Sequence, residues 1–351
     1  MVNLKYKSLN INKYKTKDLD EIIIIKGYGT SYSVGLDKLK NIYIPSFDRG
    51  FLYKISSDLK NYEILNKKKN KLIKVSKNKN PEYTNGEFKK PHDIFFDKMN
   101  NAYVTEMGNG NGKLGGCVTK ISKDGKIIAR IGSSENNGKG LDAPTVSYLA
   151  DDKYLYVSEW QADRILRYNK SYKIEKIIGK KHKDNKNLFD YLKKPHALRV
   201  GPKNEIYIAD TENHRVVKFD NFGKYLGWIG KKSDGSINNC WSAEGNSILG
   251  SEIGAFNGII DLEIYKDKIY ISEFGNHRIT KIDLSGSSIG WIGESKKNKD
   301  KLNWNTSGES IKSDSLIGLH NPFGLRVIDK IIYIADKNNG RIKIIKSNLF
   351  N

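Results

Sequence analysis

Apolar residues in this chain gather in runs of five or six, each closed by a short polar turn, and the order of the runs recurs. One cycle reads "HALRV", a turn "GPKN", the β-branched and aromatic run "EIYIA", and a polar turn. It continues with "RVVKF", another turn, and a run ending in Ile-Gly such as "YLGWIG". Short β-prone runs bounded by turn residues are strands. Helical spacing is not sustained anywhere, so no long helix is predicted. Four strands per cycle make one four-stranded antiparallel blade.

The cycle repeats along the chain. "KYLYVSEWQADRILRY" (153–168), "NEIYIADTENHRVVKF" (204–219), "DKIYISEFGNHRITKI" (267–282) and "KIIYIADKNNGRIKII" (330–345) are one pattern. "NAYVTEMGNGNGKLGGCVTKI" (101–121) is a further copy with an insertion, and "NIYIPSFDRGFLYKI" (41–55) is a degenerate one. Marker tyrosines Tyr43, Tyr103, Tyr156, Tyr207, Tyr270 and Tyr333 fall 60, 53, 51, 63 and 63 residues apart. Recurrence at such periods is the signature of a repeat architecture. Six blades predict an all-β, six-bladed propeller, one domain over residues 1–351. Its repeats lie at about 28–76, 88–132, 142–179, 193–230, 256–293 and 320–346. The last copy lacks its fourth strand, and "DEIIIIKG" (20–27) supplies the matching run from the other end of the chain. An N-terminal strand completing the last blade would close the ring and cover an open edge. The segment "IYIADTENHRVVKFDNFGKYLGWIG" resembles the NHL repeat, and that likeness implies an NHL β-propeller, a fold that hosts enzymes, RNA binders and protein-binding scaffolds.

Two kinds of repeated residue carry chemistry. Glu159, Asp210, Glu273 and Asp336 end a second strand, and Arg164, Arg215, Arg278 and Arg341 open the third strand five residues later. A carboxylate and a guanidinium so placed can pair within each blade, which is a structural role. His214 and His277, in "NHR", are read as turn residues. The second kind comes from two Lys-Pro-His triplets, at 90–92 and 194–196. Aligning first strands on the marker tyrosines puts Tyr32, His92, Thr145, His196, Ile259 and Phe323 in one column around the channel. His92 and His196 belong to alternate blades, suitable for two of three ligands to one axial ion, and Asp93 adds a hard oxygen nearby. The same column also reads as turn capping or as the lining of a wet channel.

"PHD", "PTV" and "PHA" at these positions also resemble the peptidyl-hydroxyglycine amidating lyases. That likeness implies zinc on His92 and His196 and calcium on Asp93. The third imidazole position holds Phe323, with His320 three residues earlier as a substitute, and no counterpart of that family's catalytic Arg and Tyr is found, so catalytic residues stay unknown. Two long connections, 231–256 and 294–321, resemble each other and lead into first strands. Trp241 and Trp304 within them have two readings: they wall a pocket over the channel mouth, with Tyr32, Thr145 and Phe323 below, or each pins its long loop to its blade.

Composition narrows the partners. The formal charge is +21, but only nine of the 61 basic residues are Arg. Base-specific recognition favours Arg, so weak non-specific nucleic-acid contact is the expectation. No 18-residue apolar run exists, and the first residues have no apolar h-region, so neither a membrane span nor a secretory signal is read. Two cysteines, Cys117 and Cys240, make no disulfide framework. The reading is therefore a cytoplasmic, monomeric propeller that binds a protein, peptide or small molecule at its channel face. A metal-dependent lyase using Zn2+ or Ca2+ on the axis and an RNA-binding NHL domain are the alternatives.

Overall fold

The computed structural model describes residues 9–16, 21–68, 70–75, 87–108, 115–134, 138, 140–179, 191–242, 244–297, 299 and 302–347. Its strands form six small antiparallel sheets set in a ring, the blades of a propeller. Blade 4 shows the pattern: Pro195–Val200 is innermost, then Ile206–Asp210, Arg215–Phe219 and Tyr225–Lys232. The innermost strands touch one another in ring order. The insertion of the second copy, 109–114, lies outside the described residues.

The ring closes as the strand pattern predicts. Glu21–Lys26 pairs antiparallel with Arg341–Lys346 and becomes the fourth strand of blade 6. Its four isoleucines are all buried. Side chains alternate across a strand. Ile22 and Ile24 therefore enter the core shared with blade 5, while Ile23 and Ile25 enter the core shared with blade 1. A strand buried on both faces has no polar alternation, which explains the run "IIII". On the inner side, the Gly324 N–H donates to the Tyr32 carbonyl at 2.9 Å, joining blade 6 to blade 1. A Cβ at Gly324 would lie 2.5 Å from that carbonyl oxygen, so the contact requires glycine.

Several blades carry strands beyond four. Asn10–Lys15 adds an outer, mostly exposed strand to blade 6. Lys71–Val75 does so for blade 1, and Ile237–Ser242 for blade 4. The repeated carboxylate–arginine pairs form inside every blade that has them: Arg164–Glu159 at 2.5 Å, Arg215–Asp210 at 2.8 Å, Arg278–Glu273 at 2.7 Å and Arg341–Asp336 at 2.6 Å. Each arginine of blades 4 to 6 also donates to carbonyls of the connection entering its blade, such as Arg278 to Ser251 at 2.6 Å. In blade 2, Cys117 opens the third strand where blades 3 to 6 have Arg. Glu106 there takes its cation from the neighbouring blade, Lys67 Nζ, at 2.8 Å. Among the described residues no helix is long and apolar enough to cross a membrane.

Candidate functional site: a two-ring pocket on the propeller axis

Each of blades 2 to 6 has a register shift just after the first residue of its innermost strand, at Pro91, Pro144, Pro195, Ile259 and Pro322. Such a bulge re-aims the side chain that sits in it. The bulged residues are His92, Thr145, His196, Ile260 and Phe323, and all line one cavity with Tyr32 of blade 1. The residue before the strand is left-handed in each case: Lys90, Ala143, Lys194, Gly258 and Asn321 have φ between 51° and 64°. Proline as first strand residue is compatible with this kink, because its missing N–H is not needed by the ladder.

The fifth member of the column is Ile260, not Ile259. Ile259 pairs with Glu273 as Pro195 pairs with Asp210, so it stands one step too early. The turn between the first two strands of blade 5 is one residue shorter than in blade 4. Counting back from the marker tyrosine therefore overshoots.

A second ring surrounds the first. Phe47, Met107, Trp160, Thr211 and Phe274 line the same cavity, and each directly follows the last residue of a second strand. Lys337 holds that position in blade 6, its Nζ 5.5 Å from the Phe323 ring centre. The two rings are tied by the backbone: Met107, Trp160 and Phe274 N–H groups donate to the carbonyls of Lys90, Ala143 and Gly258. The cavity measures about 370 Å³, within the range of small-molecule sites.

Its floor is aromatic and imidazole. The His92 and His196 rings lie 5.0 Å apart. Tyr32 stacks on His92 at 4.9 Å and 6°, and Phe323 meets His196 edge-on at 5.5 Å. Both histidines are buried, which disfavours the charged form. Desolvation lowers the His92 pKa to about 4, partly opposed by Asp93 and by a hydrogen bond to the Thr145 backbone. His196 is driven well below the usual histidine value by burial and then by His92, against a hydrogen bond to the Ile260 backbone. The Nδ1 atoms of both rings are buried without a partner.

Below the histidines the channel is filled by ion pairs. Arg326 reaches Asp93 at 2.7 Å and Asp261 at 3.0 Å, while Arg199 reaches Asp261 at 3.3 Å and Glu263 at 3.2 Å. Ser33 also donates to Asp93. Desolvation raises the Glu263 pKa, with Arg199 and Arg326 opposing.

Other residues singled out in the sequence lie elsewhere. The His320 ring packs 5.5 Å from His277, and its backbone N–H donates to Asp336. His214 and His277 are turn residues whose Nδ1 atoms accept the N–H of Gly258 and of Asn321, each at 3.1 Å. Trp241 and Trp304 do not line the pocket. Trp241 donates to the Leu284 carbonyl at 2.9 Å and packs edge-on to Tyr207, and Trp304 packs on Tyr270. Each pins its long connection to the flank of a blade, because the marker tyrosine offers an apolar surface there.

A catalytic zinc takes three protein ligands. Two imidazoles meet here, Phe323 fills the third place, Asp93 is held by Arg326, and His320 is at His277. Among the described residues no group of three or more His, Cys, Asp or Glu is gathered as a metal would need. The donor set does not fit that ion.

The comparisons agree with the geometry at the level of the fold. The NHL repeat model matches residues 192–219, which hold the three inner strands of blade 4. No curated protein sequence matches the chain. A solved virginiamycin B lyase from Staphylococcus aureus is similar at 13% identity, covering 97% of this chain and 100% of that one, with a TM-score of 0.52. An auxiliary nutrient binding protein from Bacteroides ovatus is similar at 10% identity, covering 97% and 77%, with a TM-score of 0.58. A protein described as a gluconolactonase is similar at 11% identity, covering 97% and 98%, with a TM-score of 0.56. Likeness at these identities speaks for architecture alone. The chain is a six-bladed β-propeller that carries an NHL repeat at residues 192–219.

Proposed function

We propose that this propeller is a binding module that takes the flat apolar part of a small molecule into the axial pocket. The observation that carries the reading is the convergence of two rings of side chains, drawn from all six blades, on one aromatic-walled cavity. Aromatic walls bury a flat ligand well and favour offset or edge-on ring contacts. The uncharged imidazoles below let an apolar group approach without desolvating a charge.

A second reading draws on the solved neighbours. One is a catalytically inactive His-to-Ala virginiamycin B lyase with quinupristin, similar at 13% identity with a TM-score of 0.51. A lyase here would use His92 or His196 as its base. A general base works best with a pKa near the working pH. His92, pushed down to about 4, is a weak base at neutrality, which favours binding over proton abstraction.

The test uses two probes of one shape, 2-naphthoate and 2-naphthylmethanol, read by thermal shift and by Trp160 fluorescence. At least one should raise the melting temperature of the native protein. Met107→Trp, which fills the cavity from a half-buried rim position, should reduce that rise several-fold. Absence of any shift with both probes, or a full shift in Met107→Trp, would sink the proposal. Consumption of virginiamycin B, lost in His92→Ala, would replace it by the lyase reading.

A further inference from the structure

Three ammonium groups stand at the rim of the pocket, each over the face of an aromatic ring that lines it. Lys90 Nζ lies 5.7 Å from the Phe47 ring centre and Lys194 Nζ lies 4.4 Å from that of Trp160. Lys337 Nζ stands over three rings at once, 5.6 Å from Tyr32, 5.8 Å from Phe274 and 5.5 Å from Phe323. Lys90 and Lys194 are the lysines of the two Lys-Pro-His triplets, and their left-handed backbone, φ 52° and 51°, precedes the bulge that carries the histidine. One local device therefore serves both ends of the site, sending an imidazole to the floor and an ammonium to the rim.

Among the described residues none of these three ammoniums has a carboxylate within 4 Å. The acid that does line the cavity, Glu212, is already met by Lys193 at 3.3 Å. Cation–π contact holds an ammonium in place without neutralising it. Three uncompensated positive charges above an apolar floor form an amphipathic site. Resting on the pocket's role as a ligand site, we infer that its ligand is an amphipathic anion, a flat ring or ring system bearing a carboxylate or like group. The ring fills the space between Tyr32, Phe274, Phe323 and the histidines. The anionic group ends at the level of Lys90, Lys194 and Lys337. The overall positive charge of the molecule adds long-range attraction for the same sign of ligand.

The probes that test the pocket also test its charge preference, joined by a third of the same shape, (2-naphthyl)trimethylammonium. Affinities are measured at low and high salt for the native protein and for a triple Lys90→Gln, Lys194→Gln, Lys337→Gln variant. Its circular dichroism and melting curve report that the ring is intact. 2-Naphthoate should bind about tenfold more tightly than 2-naphthylmethanol at low salt, an advantage that salt screens. The triple variant should lose that advantage, its affinity for 2-naphthoate falling to that for 2-naphthylmethanol. Equal affinity of the acid and the alcohol would overturn the inference and leave the binding reading intact. So would an advantage that survives in the triple variant, or tighter binding of the cationic probe. Failure of all three probes would overturn both.

Discussion

His92 and His196 are only 4% and 6% exposed, and that burial decides their protonation. An unfolded histidine titrates near 6.5, whereas His92 in the fold titrates near 4. Between those values the unfolded chain binds a proton that the folded ring refuses. Stability is then flat above about pH 6.5 and falls as pH drops toward 4. One pH unit of such a difference is worth about 1.4 kcal/mol, so His92 alone accounts for a loss on the order of 3 kcal/mol across the window. His196 acts in the same direction. Chemical denaturation at stepped pH should show this fall, and His92→Gln should flatten part of it. An unchanged slope in His92→Gln would show that the ring is not the group responsible. The register of the two histidines was readable, because Pro-His stands at the same distance from each marker tyrosine. The column also set Tyr32 and Thr145 beside His92, but the stacking of Tyr32 on its ring and the hydrogen bond with the Thr145 backbone belong to the folded ring of blades.

Among the elements, Glu21–Lys26 has the largest consequence for its length. Full burial of an isoleucine stabilises by about 1.5–3 kcal/mol, so its four contribute on the order of 10 kcal/mol, similar to the whole stability of an ordinary domain. Removing residues 1–27 should abolish a cooperative melting transition. Among the described residues, removing 1–16 takes away the outer strand Asn10–Lys15, whose side chains are mostly exposed, and the partly buried Leu9, and should lower the melting temperature by no more than a few degrees. Equal effects of the two deletions would refute closure through the isoleucine strand. "DEIIIIKG" was recognisable as the missing strand from its apolar run. "NINKYK" was not, because an outermost strand with one face on solvent has too few apolar positions to stand out.

For the molecule as a whole, the division of labour between Arg and Lys decides what the charge can do. Every one of the nine arginines makes an internal contact. Arg164, Arg215, Arg278 and Arg341 hold the repeated carboxylates, and Arg199 and Arg326 fill the channel. Arg49 donates to the Gly27 carbonyl, Arg130 to Cys117 and Arg167 to the Asn221 carbonyl. Lysine therefore supplies the basic surface, as point charges without the fork that reads base edges. Binding to polyuridine and to mixed-sequence RNA should be weak and equal, and should fall steeply between low and physiological salt. Sequence-selective binding at physiological salt would contradict this.

The repeat, its four strands per blade, the closing strand and the carboxylate–arginine pairs are legible in the chain because each depends on residues close in sequence or on a pattern repeated from blade to blade. The first ring of the pocket is nearly so, with the slip from Ile260 to Ile259 arising from one shortened turn. The second ring was beyond sequence reasoning. Phe47, Met107, Trp160, Thr211, Phe274 and Lys337 share a position but no single residue type, so nothing marks them until the ring brings them together. Trp241 and Trp304 show the converse: a shared motif that points outward to the blade flanks. Local pattern decides which residues form strands. Bulges and ring closure decide where side chains from different blades meet, and the pocket exists only at that level.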